Sequence, residues 1–278
     1  MISWLAIRNI GIGEPLADRN NGLSDYTWMV PRGNLIENNY LCTDRTGAAN
    51  PPFAQGDLQE SGGVYLAGEA RENMVRGNLI AGCTGQITDN WQAAVTIEDQ
   101  ATLNVVQGNR IGFDVNWNTR QNSLGILVTG RAAVNCIGND TCIGTAFGGK
   151  ALLPKREPGC GANLGDSPCN YVGNSVGEGI LVQDMAWENR ITGNFIGVGR
   201  TGVEAAPNGK SGVLLAGGAA TQIGGSKTPA NPNQSVPGWK CAGDCNVISA
   251  NAGAGVRISG VTQKNTVKGN LIGSSGNV

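Results

Sequence analysis

Histidine is absent from all 278 residues, which removes the commonest general base and the commonest metal ligand together. Charged residues make up only 15% of the chain and aromatics only 5%. A helical enzyme would carry more Glu, Lys and Leu, and a disordered chain more net charge, so the composition fits neither. The formal net charge of −1 gives no reason to expect nucleic acid as a partner. No stretch reaches the roughly 20 apolar residues that span a membrane. Met1-Ile2-Ser3-Trp4-Leu5-Ala6-Ile7-Arg8 lacks the charged start, apolar run and small-residue cleavage site of a signal peptide. Phosphate-cradling glycine loops, serine elbows and calcium-binding nonapeptides are also missing, and no cofactor is expected.

What the chain has is glycine, 44 residues of it, and eight cysteines. Six cysteines fall into close pairs: Cys136 with Cys142, Cys160 with Cys169, and Cys241 with Cys245. Cys42 and Cys83 are left over, with their connectivity open. Without histidine a zinc site needs four thiolates, and no CxxC pair exists to start one. Local disulfides are the favoured reading, and they place the protein in an oxidising compartment, outside a cell or on its surface. Gly269-Asn270-Leu271-Ile272-Gly273 opens a motif that the chain then abandons, so a mature or partial form of a longer secreted protein is expected.

A phrase of small residue, β-branched residue, any residue, aliphatic recurs six times. Its copies begin at Gly63, Ala94, Gly125, Gly179, Gly212 and Gly255. Alternation of this kind is strand periodicity, with both aliphatics on one face. Counting from the leading aliphatic, eleven residues lead to Val75, Val106, Ile137, Ile191 and Val267, and ten lead to Ile223. Four of these sit in Asn-x-Val/Ile-x-Gly-Asn-x-Ile, as from Asn73 to Ile80. Successive first phrases lie 31, 31, 54, 33 and 43 residues apart. A period near 31 with three short aliphatic strands describes one coil of a right-handed parallel β-helix, and about seven coils fit in one domain covering residues 1–278. Val64, Val95, Ile126, Ile180, Val213 and Val256 should stack as one interior ladder. Val75, Val106, Ile137, Ile191, Ile223 and Val267 should form a second. The Gly-Asn turns suit positive φ, and Asn78, Asn109, Asn194 and Asn270 read as a structural column.

The longer intervals are insertions, about 138–169 and 224–245, each expected to end in a disulfide-closed tip before the chain rejoins the coil. The first 60 residues register poorly. Leu5-Ala6-Ile7 is the candidate first strand, and Gly33-Asn34-Leu35-Ile36 the candidate Gly-Asn turn.

At Asn246-Val247-Ile248-Ser249-Ala250-Asn251, Val256-Arg257-Ile258 and Gly193-Asn194-Phe195-Ile196-Gly197 the chain resembles the right-handed parallel β-helix repeat proteins of bacterial cell surfaces, which share the pectate-lyase-like superfold. The resemblance covers roughly residues 60–278. It implies the fold and a secreted or surface scaffold, with no catalytic motif to carry over, because this superfold hosts lyases, hydrolases, tailspikes and adhesins alike.

Two surface columns follow from the register. Four residues beyond each first-strand anchor stand Gly68, Asp99, Gly130, Asp184, Gly217 and Gly260. Asp99 and Asp184 would lie two coils apart, about 10 Å between backbones, near the ~6.5–9.5 Å that separates the carboxyls of inverting glycosidases. Glu98 and Arg131 lie alongside. The plainer reading has the aspartates solvating a corner. Midway along the first strand the outward residues are Tyr65, Thr96, Leu127, Leu181, Leu214 and Arg257, with Met185 and Trp187 just beyond. Three consecutive leucines there suggest either a subunit interface or a face covered by one of the long loops.

The reading favoured is therefore an extracellular structural or adhesive scaffold that self-associates, as an oligomer or filament, or binds a surface partner. The alternative is a glycan-active enzyme or glycan-binding module using Asp99, Asp184 and Arg131, with Trp91 or Trp117 as a sugar platform.

Overall fold

A three-residue strand buries nothing by itself, so its stability has to come from the coil above and the coil below. In this chain that stacking is continuous. A computed structural model describes residues 10–12, 31–48, 62–84, 93–138, 169–225 and 244–273, and every regular element among them is a strand. The strands form three parallel sheets of seven, each taking one strand from every coil in chain order. The molecule is a parallel β-helix of seven coils.

The first sheet runs Ile10–Ile12, Val64–Leu66, Ala93–Ile97, Leu124–Val128, Ile180–Val182, Val213–Leu215 and Val256–Ile258. Its register pairs Val64 with Val95, Val95 with Ile126, Ile126 with Ile180, Ile180 with Val213 and Val213 with Val256. The second sheet aligns Val75, Val106, Ile137, Ile191, Ile223 and Val267 in the same way. Leu41, Ile80, Ile111, Val172, Ile196, Ile248 and Ile272 form the third interior ladder. Through the first six coils these side chains make one buried core, while in the last coil Val256 packs against it half-buried and Val267 and Ile272 are exposed. The small residue that opens each first-strand phrase is explained by the approach of neighbouring coils: a Cβ on Gly125 would stand 2.1 Å from the carbonyl oxygen of Gly179.

Asparagines form two columns at the corners. Along the third sheet, the side-chain amide of each donates to the side-chain oxygen of the next, through Asn39, Asn78, Asn109, Asn170, Asn194, Asn246 and Asn270. A second column, Asn34, Asn73, Asn104, Asn135 and Asn189, does the same beside the second sheet. Asn78, Asn109, Asn194 and Asn270 are thus structural, as their spacing implied.

The residue before the second column takes positive φ in coil after coil, whatever its identity: Gly33, Glu72, Leu103, Val134, Glu188, Ala220 and Lys264. Val134, at φ 55°, is the costly member, since a β-branched residue in the left-handed region clashes with its own carbonyl. Val134→Gly should stabilise the chain by about 1 kcal/mol, the strain relieved exceeding the entropy glycine adds to the unfolded chain. A urea unfolding series reads this, and a lower midpoint for the glycine variant would contradict it.

The opening coil departs from expectation. The strand that pairs with Val64–Leu66 is Ile10–Ile12, and the candidate at Leu5–Ile7 lies outside the described residues. Gly33-Asn34 does form a turn, with Gly33 at φ 69°, and it leads into the second sheet. Leu35–Glu37 pairs with Met74–Arg76 in the second sheet, and Asn38-Asn39 makes the turn before Tyr40–Leu41. Both long insertions leave from one corner, between a second-sheet and a third-sheet strand. Their tips lie outside the described residues.

Cys42 and Cys83 are bonded to each other, joining the first coil to the second inside the core. Cys136, Cys169 and Cys245 are also disulfide-bonded. Each expected local pair includes Cys142, Cys160 or Cys241, which lie outside the described residues.

Candidate functional site

The aspartates of the first-sheet corner are gathered as the register required, but both serve the backbone. Asp99 and Asp184 occupy a left-handed turn position, with φ of 61° and 58°. The Gly68 amide donates to Asp99 Oδ2 at 3.2 Å, and the Gly130 amide to Asp184 Oδ2 at 3.3 Å. Thr129 Oγ1 donates to the same Asp184 oxygen. Each carboxylate therefore ties its own coil to the one before. Arg131 is exposed beside them, and its amide donates to the Asp99 carbonyl. Glu98 accepts from the Tyr65 hydroxyl at 3.0 Å, and burial together with Glu98 pushes that phenol's pKa up.

The outward column of the first sheet is not the open leucine strip that alternation suggests. Tyr65 and Thr96 are buried, and Leu127 is only 3% exposed, so Leu127 is not available to a partner. Alternation assigns a side chain to the outer face and says nothing of what lies over that face. Leu181 and Leu214 are half-buried, while Met185 and Trp187 are exposed at 59% and 45%.

A different face carries the more elaborate arrangement. The outward residues of the third sheet are Tyr40, Leu79, Arg110, Tyr171, Phe195, Val247 and Leu271. Most of them are aromatic or aliphatic, and Tyr171, Phe195 and Val247 build a second hydrophobic cluster with Phe113, Val198 and Ala206 outside the coil, against which Trp117 and Leu271 pack. The covering residues come from short loops that follow the third-sheet strands, closed by antiparallel bridges at Phe113–Thr119 and Val198–Ala205.

Three of these loops are one design. Gly47, Trp117 and Gly202 each stand six residues beyond a third-sheet anchor, Leu41, Ile111 and Ile196. Each has positive φ, and each donates its amide at 3.0 Å to the carbonyl three residues back, in Asp44, Asp114 and Gly199. Two copies use glycine. The third places tryptophan at φ 66°, where a bulky side chain costs about 1–3 kcal/mol. Something in the surroundings has to hold it there.

Asp114 is part of the answer. Its Oδ1 accepts from the amides of Asn116 and Asn118 at 2.8 and 3.0 Å, and Oδ2 accepts from the Asn118 side chain at 3.0 Å. Burial alone would push this carboxyl up, but those bonds and the nearby Arg120 outweigh it and hold the pKa below the ordinary aspartate value. Packing supplies the rest. Trp117 meets Tyr171 edge-on, with centroids 4.9 Å apart, and Tyr171 stacks on Phe195 at 4.9 Å. The Arg110 guanidinium lies 4.0 Å over the Trp117 ring. Its Nη1 donates to the carbonyls of Asp114 and Val115 at 3.0 and 3.1 Å.

Beside this stack opens a cleft of about 260 Å³, lined by Asn38, Tyr40, Leu79, Arg110, Trp117 and Tyr171 among others. It crosses four coils, a run of about 14 Å at the ordinary strand spacing. Trp117 was singled out in the sequence, whereas Arg110, Tyr40 and Tyr171 were not. They were within reach of the same register, as the residue before each third-strand aliphatic. Trp91 lies outside the described residues.

No protein-family model matches this chain, and neither the curated proteins nor the solved structures contain a match to it.

Proposed function

We propose that this chain is an extracellular adhesive scaffold, a rigid solenoid that binds a surface partner in the cleft on its third sheet without chemically altering it. The observation that carries this reading is Trp117, held at a strained backbone position where two equivalent loops use glycine. Strain of this kind persists only where the surroundings over-determine it, and it concentrates at binding sites. Disulfides suit an oxidising exterior. The phrases resembling β-helix repeat proteins of bacterial surfaces point the same way.

The experiment is retention of the labelled chain on immobilised extracellular polysaccharides and intact cells, beside Trp117→Gly, which restores the residue that the sibling loops carry. Wild type should be retained, the glycine variant should be retained at least tenfold less, and the bound material should release no soluble fragments. Fragment release would make the chain an enzyme, and equal retention of the two proteins would remove the cleft from the reading.

A further inference from the structure

Arg110 is the one charged side chain among the described residues that line the cleft, and no carboxylate pairs with it there. Its side chain is half-buried, and burial lowers its pKa. Desolvating a guanidinium is costly unless an anion or enough acceptors replace the lost water. Nη1 has its two carbonyl acceptors. Nε and Nη2 have no hydrogen-bond or carboxylate partner among the described residues, and the nearest acid, Asp114, is taken up by its own loop and Arg120. Arg200 adds a like charge near by. The edge Nε–Nη2 is the fork that receives a carboxylate in two parallel bonds, and stacking on Trp117 fixes its plane before any ligand arrives.

Building on the adhesive reading, we propose that the cleft binds an acidic saccharide, a uronic-acid unit whose carboxylate takes the free edge of Arg110. Tyr40 and Trp117 line the same cleft and bring aromatic surface for the apolar face of a sugar ring, and the exposed Asn38 brings an amide for its hydroxyls. An acidic peptide fits less well. Extended peptides gain most of their affinity by pairing with a free strand edge, whereas this cleft opens on a sheet face, and three of the four strands it crosses are paired on both sides, only Tyr40–Leu41 ending the sheet. Nucleic acid would need several cations tracking a backbone, and the chain has a net charge of −1.

The test is calorimetric titration of the oxidised chain with trigalacturonate, its methyl-esterified form, and triglutamate. Trigalacturonate should bind, and the ester should bind at least tenfold more weakly, as should Arg110→Gln with the acid. Arg110→Lys keeps the charge without the fork and should fall between them. Thermal unfolding of each variant checks that the coil is intact. Equal affinity for acid and ester, or an Arg110→Gln variant that binds the acid as wild type does, overturns the proposal while leaving the adhesive reading in place. Triglutamate binding as tightly as trigalacturonate overturns the saccharide assignment. If none of the three binds at millimolar concentration while retention on polysaccharide persists, acidic sugar is the wrong class.

Discussion

Replacing Asn109 by alanine should cost about 4 kcal/mol of stability, more than any surface substitution in this chain. The side chain is fully buried and makes four bonds. Its Oδ1 accepts from the amide and the side chain of Asn78, both at 3.0 Å. Its Nδ2 donates to the Val75 carbonyl at 2.9 Å and to Asn170 Oδ1 at 3.0 Å. Alanine strands two donors and two acceptors in the wall between coils, where water cannot reach them, and each stranded group costs about 1–3 kcal/mol before relaxation. Asn270 holds the equivalent place in the last coil and is only partly buried. There water can take over the lost bonds, so Asn270→Ala should cost about 1 kcal/mol. Urea unfolding of both variants makes the comparison. Equal costs, or a loss at Asn109 under about 1 kcal/mol, would mean that the column is decoration on a fold held by its aliphatics alone.

The aliphatic ladders were legible because a stacked solenoid repeats one constraint in every coil. Val64, Val95 and Ile126 answer to the same neighbours, so spacing alone aligns them. The first coil registered poorly for a related reason. Asparagine columns run at two corners, and a left-handed residue precedes the asparagine at both, so Gly33-Asn34-Leu35-Ile36 looks like either turn. What decides is the interval onward: Ile36 to Leu41 is five residues, as Val75 to Ile80 is. The corner aspartates illustrate the opposite limit. Their placement followed from the register, but whether a carboxylate faces a substrate or a glycine amide depends on the turn's φ and on the coil before it.

The cleft was the least legible feature. Tyr40, Arg110 and Tyr171 are separated from one another by at least 61 residues, and nothing in their local phrases differs from an ordinary third-sheet strand. Their meaning comes from the loops laid over that sheet, above all from a tryptophan in a glycine's place. Leu127 carries the same lesson in reverse, an outward residue that the fold then buries. In a solenoid the interior is written in the repeat, and function is written in departures from it. Comparing the equivalent loops with one another is the step that exposes those departures.

The largest local effect should come from the Cys42–Cys83 disulfide. It closes a segment with a sequence separation of 41, which in the chain-entropy account is worth about 4 kcal/mol. Both residues are buried in the core, Cys83 completely. Because each coil touches only its neighbours, the Cys42→Ala/Cys83→Ala chain should lose that stability in its first two coils and little of it beyond. Amide exchange resolves the difference. Protection at Val64–Leu66 should fall by roughly 800-fold, the equivalent of about 4 kcal/mol, while protection at Val213–Leu215, four coils on, stays within a few-fold of wild type. The wall of the cleft contributed by Asn38 and Tyr40 belongs to the first coil, so ligand retention should weaken along with it. Uniform loss along all seven coils would show that the solenoid unfolds as one cooperative unit, and unchanged exchange in the first two coils would show that their packing holds without the bond.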